Sequence, residues 1–313
     1  MRVLILGAGA IGGYFGARLI ESGADVSFLV RPARAALIAE QGLRVFGTRG
    51  DFVRPVRAIT AVDGAFDLVL LSCKAYDLDS AIASLRPAVG ASTQVLPLLN
   101  GLRHLDMLDA AFGAGRMLGG LCHISATLEA DGSIRQFGSL DRLTYGSRDG
   151  NAVPPAVDVT LRAIGPHAMH SPDVLGAMWD KFAFIATLAG GTCLMRGSVG
   201  EIVGTAEGAD LMRRLHAECA SVAARSGHAL DASAIEAAHG ILTAPGSSLK
   251  ASMLRDLERD ARTECEHILG DMRARAIAFG LDTPLLSATL AHLRVYENAR
   301  TTTSRQRIHG AFP

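Results

Sequence analysis

Apolar positions in the first half of the chain fall into short runs separated by amphipathic stretches. Residues 3–6 are a run of β-formers, and a helical pattern over residues 14–21 follows, ending near Gly23. Residues 25–30 predict a second strand, and residues 34–40 a short helix stopped at Gly42. Residues 67–72 form a continuous apolar strand, as expected where helices cover both faces of a parallel sheet. Residues 78–85 return to helical spacing before Pro87, and residues 94–99 predict a further strand closed by Asn100-Gly101. Strand alternating with helix specifies right-handed βαβ units and a doubly wound sheet. Residues 115–128 and 133–146 read as paired strands around Asp131-Gly132, a hairpin signal.

The pattern then changes. Residues 151–155 are a loop, and Pro166 and Pro172 bracket a short segment. From residue 173 the spacing is almost entirely helical, with helices expected over residues 173–187, 211–226 and 263–279 and a last one opening at Thr283-Pro284. Thr263 reads as an N-cap with Glu266 three residues later, the T-x-x-E capping box. The expected architecture is an α/β N-terminal Rossmann-type dinucleotide-binding domain over residues 1–172, followed by an all-α C-terminal domain over residues 173–313.

Lys plus Arg and Asp plus Glu both number 31, so no net charge points to a nucleic-acid or anionic-membrane partner. The opening apolar run is too short for a signal peptide or a membrane span. The cysteines, Cys73, Cys122, Cys193, Cys219 and Cys265, are odd in number and widely spaced. That excludes a disulfide framework and favours a cytoplasmic chain with reduced thiols. His167 and His170 sit three apart with no carboxylate at ligand spacing, so no metal site is expected. His123 follows a strand-like run, where both an approach to a cofactor and an ordinary half-buried histidine stay open. A length of 313 residues accommodates two domains and is compatible with a homodimer without specifying one.

Chemistry enters with the glycines. Gly7, Gly9 and Gly12 keep the G-x-G-x-x-G spacing between a strand and a helix, with Ala10 and Ile11 inside the motif. Gly7 permits a tight turn, Gly9 lets the backbone approach a pyrophosphate, and Gly12 lets the helix pack on the sheet. The helix start offers N–H groups and a positive dipole end to phosphate. An acidic residue usually ends the second strand where NAD binds. Here Val30 is followed by Arg31 and, nearby, Arg34. A guanidinium pairs with a 2′-phosphate, which favours NADP(H); the alternative is two solvated loop charges. Lys74 and Asn100 follow strands at the carboxyl edge where ligands of such sheets bind. In the helical half, Lys181 lies in an apolar run beside Trp179, Phe182, Phe184 and Ile185. A lysine there either snorkels to the surface or serves an interdomain cleft as a general acid, donating its proton to the oxygen of a ketone that receives hydride.

These parts together resemble the ketopantoate reductases (2-dehydropantoate 2-reductases). The resemblance runs from Met1 to about Arg300, through Gly7-Ala8-Gly9-Ala10-Ile11-Gly12-Gly13, Cys73-Lys74-Ala75, Asn100-Gly101, Trp179-x-Lys181, Ser252-Met253-Leu254 and Glu264. It implies that Lys181 is the general acid and that Glu264 binds substrate or orients the lysine. Ser252 would contact the substrate, Asn100 would bridge cofactor and lysine, and Arg31 and Lys74 would grip the ribose phosphate of NADP(H). The family's better-known members carry two asparagines four and eight residues after the lysine. Here these substrate-site positions are Ile185 and Ala189, which makes one wall more apolar. The expected activity is NADPH-dependent reduction of a 2-keto acid to a 2-hydroxy acid, first of all 2-dehydropantoate to pantoate in pantothenate biosynthesis. A more apolar 2-keto acid, a 3-hydroxy acid dehydrogenase activity and a non-catalytic NADP(H) sensor are the alternatives. Residues 252 and 264 pose a geometric question, since a straight helix between them would span roughly 18 Å, too far for one small acid unless the chain bends.

Overall fold

The computed structural model describes residues 1–309, with side chains to residue 302. It divides into two compact units, Met1–Leu99 with His104–Met178, and Asn100–Arg103 with the chain from Trp179 onward.

The first unit opens with β1 (Arg2–Leu6), α1 (Ala10–Glu21), β2 (Asp25–Leu29), α2 (Pro32–Gln41), β3 (Leu43–Phe46), β4 (Phe52–Arg54) and β5 (Arg57–Ile59). It continues with β6 (Leu68–Leu71), α3 (Leu78–Leu85), β7 (Gln94–Pro97), α4 (Arg103–Phe112), β8 (Leu118–Leu128), β9 (Ile134–Ser147), α5 (Pro155–Arg162) and β10 (Ala168–His170). Five parallel strands form a sheet in the order β5-β2-β1-β6-β7. Alternate residues supply its two cores. Val3, Ile5, Leu68 and Leu70 face one way with Phe15 and Phe28. Leu4, Val69 and Leu71 face the other way with Leu78, Ile82 and Leu85 of α3. Each such burial contributes about 1.5–3 kcal/mol, which is why these runs are apolar on both sides.

A second sheet, β10-β9-β3-β4 with β8 pairing β9, carries the hairpin expected around Asp131-Gly132. Its register shifts at Ile124/Ser125, so that Ser125 pairs with Phe137 while Ile124 pairs with Asp141. The shift brings Asp141 inside. Its carboxylate accepts from the Tyr14 hydroxyl of α1 and from Arg49 at 3.2 Å, and lies 2.5 Å from His167 Nδ1. Burial and that carboxylate push the Tyr14 hydroxyl well above the usual phenol range. His167 is thereby engaged in a structural network. The strands β3, β4 and β5 are not marked by alternation, because three- and four-residue strands interrupted by Arg44, Arg54 and Arg57 hold too little of a period.

The second unit is helical. Its elements are α6 (Val174–Met195), α7 (Val199–Val203), α8 (Gly208–Arg225), α9 (Ala232–Leu242), α10 (Ser252–Glu258), a π-helical turn at Glu266–Gly270, α11 (Asp271–Ala278) and α12 (Pro284–His309). The first turn of α6 groups with the first unit, where Val174 lies over Gly119 and Gly146. The rest of α6 runs past the expected end at residue 187, because Gly190 and Gly191 admit Leu215 and Met212 of α8 closely against it. α8 packs in turn on α7, α9, α11 and α12. A capping box does occur, but at α7, where the Ser198 side chain and Glu201 satisfy each other's backbone N–H groups. No helix among the described residues is long and apolar enough to cross a membrane. The five cysteines are free thiols.

Candidate active site

The glycine turn is a matter of backbone. At the end of β1, Gly7 has φ 93°, a value other residues rarely adopt, and its N–H donates to the Leu29 carbonyl at 2.9 Å. Gly9 is the N-cap of α1, and the first bond of that helix runs from the Gly13 N–H to the Gly9 carbonyl at 2.8 Å. The N–H groups of Ala10, Ile11 and Gly12 therefore have no partner within the helix. A Cβ on Gly12 would lie 2.3 Å from both the Gly7 carbonyl oxygen and Ser72 Oγ. A Cβ on Gly9 would meet nothing within 4 Å. One glycine is thus required by packing, and the other leaves space in front of the helix start. Space, free N–H groups and the dipole end together fit the pyrophosphate of a dinucleotide.

Arg31 is the N-cap of α2. Its exposed guanidinium pairs with Asp77 at 2.9 Å. No carboxylate ends β2, as the cofactor argument requires. Arg34 is not the solvated loop charge that stood as the alternative. Its guanidinium donates to the Ala8 carbonyl at 2.8 and 3.2 Å and to the Gly132 carbonyl at 2.7 Å, tying the glycine turn to the hairpin. Burial holds its pKa below the usual guanidinium value. Lys74 caps the short 3-10 helix Ala75–Asp77 that follows β6 and is half-buried.

In the helical unit Lys181 is half-buried on α6. Trp179 anchors that stretch. It is 4% exposed, stacks on His228 at 5.9 Å, tilts against Phe182 at 5.6 Å and carries the Arg275 guanidinium over its ring at 5.4 Å. Ile185 and Ala189 lie four and eight residues after Lys181, so the three share one helix face. Ile185 is half-buried and Ala189 buried. Ser252 is the first residue of α10 and is exposed. α10 ends at Glu258, and Asp260 takes a left-handed φ of 54°. The chain therefore bends between Ser252 and Glu264, and the straight-helix separation does not apply.

The expected capping box at Thr263 is not formed. The Thr263 N–H and hydroxyl both donate to Glu297 of α12, each at 2.7 Å. Glu266 is held instead by Arg294 in a two-pronged pair at 2.6 and 2.9 Å, which keeps its carboxyl below the usual range. The helix expected over residues 263–279 accordingly starts late and passes through the π-helical turn before α11. Half-buried Glu264 sits just ahead of that turn. Asn100 and Gly101, which follow β7, group with this unit. A Cβ on Gly101 would lie 3.5 Å from His267 Cδ2 and 3.6 Å from Phe182 Cε2. The structure thus brings Asn100-Gly101 together with α6 and with His267, a residue sequence reasoning passed over. Its only signal was a spacing of three from Glu264. Among the described residues no group of three or more His, Cys, Asp or Glu side chains is placed to hold a metal ion.

Residues 3–150 match the family model described as ketopantoate reductase PanE/ApbA, and residues 173–297 match the model of its C-terminal domain. The chain is 33% identical over 300 residues to the uncharacterized oxidoreductase YkpB of Bacillus subtilis, covering 95% of this chain and 99% of that one. It resembles the crystal structure of 2-dehydropantoate 2-reductase from Geobacter metallireducens with a TM-score of 0.86 at 29% identity, over 94% of this chain and 99% of the other. It shares its fold with a D-mandelate dehydrogenase solved with NADH and anilino(oxo)acetate, with a TM-score of 0.87 at 23% identity, over 96% of this chain and all of the other.

Proposed function

The chain belongs to the ketopantoate reductase family, and from that premise we propose that it is an NADP(H)-dependent oxidoreductase reducing 2-dehydropantoate to pantoate, a step of pantothenate biosynthesis. The coarser activity, reduction of a 2-keto acid, is that of the family. The observation that carries the reading is Lys181, half-buried on an apolar helix whose Trp179 is fixed by three aromatic and cationic neighbours.

NADPH, when bound, supplies hydride to the carbonyl carbon. Gly9, Ala10, Ile11 and Gly12 would hold the pyrophosphate through backbone N–H groups, on a turn that Gly7 shapes. Arg31, released from Asp77, would hold the 2′-phosphate, and Lys74 would support the same region. Lys181 Nζ gives its proton to the oxygen on which negative charge develops, a contribution of roughly 10²-fold or more. Asn100 orients the lysine, Ser252 takes the substrate carboxylate or hydroxyl, and Glu264 orients Lys181 or binds substrate. We place the protein in the cytoplasm, acting on a small molecule.

Ile185 and Ala189 favour a second reading, in which the substrate is a bulkier and more apolar 2-keto acid. A site that hydrogen-bonds a substrate hydroxyl rejects analogues lacking it by ~10⁴-fold. Two aliphatic side chains beside Lys181 supply no such discrimination. The deciding experiment follows NADPH absorbance with 2-dehydropantoate and a panel of branched and aromatic 2-keto acids. The highest kcat/KM with 2-dehydropantoate supports the first reading, and a preference for an aromatic or branched acid supports the second. Oxidation of 3-hydroxy acids without reduction of any 2-keto acid would overturn both.

A further inference from the structure

We propose that His267 is a positioning residue that joins the main chains of Glu264 and Asn100 and so sets where the Asn100 side chain stands. The proposal rests on the reading that both residues serve the reaction. The His267 backbone N–H donates to the Glu264 carbonyl at 3.1 Å, and the Ile268 N–H donates to the same carbonyl at 3.1 Å. The His267 imidazole N–H donates to the Asn100 backbone carbonyl. The imidazole is buried, and burial holds its pKa below the ordinary histidine range, so it stays neutral and keeps one donor near pH 7.

Three features explain why this link matters. Gly101 has φ 79°, so the residue after Asn100 is conformationally permissive and offers no stiffness of its own. The His267 backbone oxygen and imidazole and the Phe182 ring lie within 3.4–3.6 Å of where a Gly101 Cβ would be, a van der Waals fit around a residue without a side chain. The four residues Asn100–Arg103 group with the helical unit, although the chain on either side of them belongs to the other unit. His267 itself lies within the π-helical turn Glu266–Gly270. Such turns are rare and recur at functional sites. An amide that must meet both lysine and cofactor is placed only as well as its backbone, and here a buried donor fixes that backbone.

The test uses His267→Phe, which keeps a ring and removes the donor, and His267→Gln, which keeps a donor. Two quantities are read: steady-state NADPH oxidation with the 2-keto acid the unmodified enzyme turns over best, and amide hydrogen exchange across residues 101–103. The Phe variant should lose about 10-fold in kcat, the scale of one net hydrogen bond, with KM for NADPH changed less than about 2-fold. Its amides at 101–103 should exchange about 10-fold faster, with the rest of the helical unit unchanged. The Gln variant should recover to within about 3-fold of the unmodified enzyme. Unmodified kcat in the Phe variant overturns the proposal. So does protection lost evenly through the helical unit with no recovery in the Gln variant. Should the Phe variant not fold, unmodified protein decides: open-loop exchange at Leu102 and Arg103 overturns the proposal, and protection matching that of Ile268 upholds it. An unmodified enzyme inactive on every 2-keto acid would defeat the functional reading and leave the exchange result standing.

Discussion

Two segments of this chain, Gly7 to Gly12 and Thr263 to Gly270, carry sequence marks of a helix start, and only the first is built as its marks suggest. In the glycine turn the needed interactions lie in the backbone of a few neighbouring residues, with Ser72, just after β6, and Leu29 of β2 completing it. At Thr263 the expected partner was Glu266, three residues on, but Glu297 lies within reach 34 residues away and takes both Thr263 donors. Arg294 then takes Glu266. Spacing alone reads local backbone geometry well. The choice among competing carboxylates is made by tertiary packing, and spacing does not carry it.

Four tests sharpen that contrast. The largest effect is expected in the turn itself. Gly12→Ala drives a methyl onto backbone and should cost about 3 kcal/mol or more in chemical denaturation, whereas Gly9→Ala should cost under about 1 kcal/mol while weakening NADPH binding. Equal destabilisation by the two would mean the glycines do not have separate duties.

In the helical unit, His216 is buried beside His239, with ring centroids 5.1 Å apart, and burial first, then His239, pushes its pKa down to about 4. The folded state therefore stays neutral while the unfolded chain takes up a proton below about pH 6.5. The resulting stability is present above pH 6.5 and falls by up to about 3 kcal/mol as the pH drops toward 4. Denaturation curves between pH 7 and 4.5 should show this limb, and His216→Phe should flatten it. An unchanged slope in that variant would assign the limb elsewhere.

A smaller effect separates the two carboxylates. Glu297→Gln should cost about 1–2 kcal/mol through Thr263, and Glu266→Gln under about 1 kcal/mol because its pair is half exposed. The reverse order would restore the capping box. Smallest of all, Asp77→Asn should release Arg31 and lower KM for NADPH by about 2-fold, leaving NADH unaffected, as befits an exposed pair. An equal change for both cofactors would remove Arg31 from phosphate recognition.

Much of the first unit was legible because its strands are apolar on both faces. Leu68 to Leu71 and Val3 to Leu6 have no polar interruption, and Gly7 marks where the latter ends. The tie that Arg34 makes was not legible, since nothing in a sequence distance of 26 or 98 residues shows that it binds the Ala8 and Gly132 carbonyls. The helical unit was legible as helix but not in its breaks. α10 ends just before Asp260 takes a left-handed turn, and the π-helical turn carries Glu266 and His267, whose partners Arg294 and Asn100 are far away in sequence. His267 escaped notice for the same reason, because its partner lies more than 160 residues earlier in the chain.

Single-turnover oxidation of bound NADPH by Lys181→Ala, beside the unmodified enzyme and the best 2-keto acid, isolates proton donation from product release. The variant should bind NADPH as tightly as before and react at least ~10²-fold more slowly. A rate near that of the unmodified enzyme would show that the proton comes from elsewhere and that Lys181 is a snorkelling surface lysine.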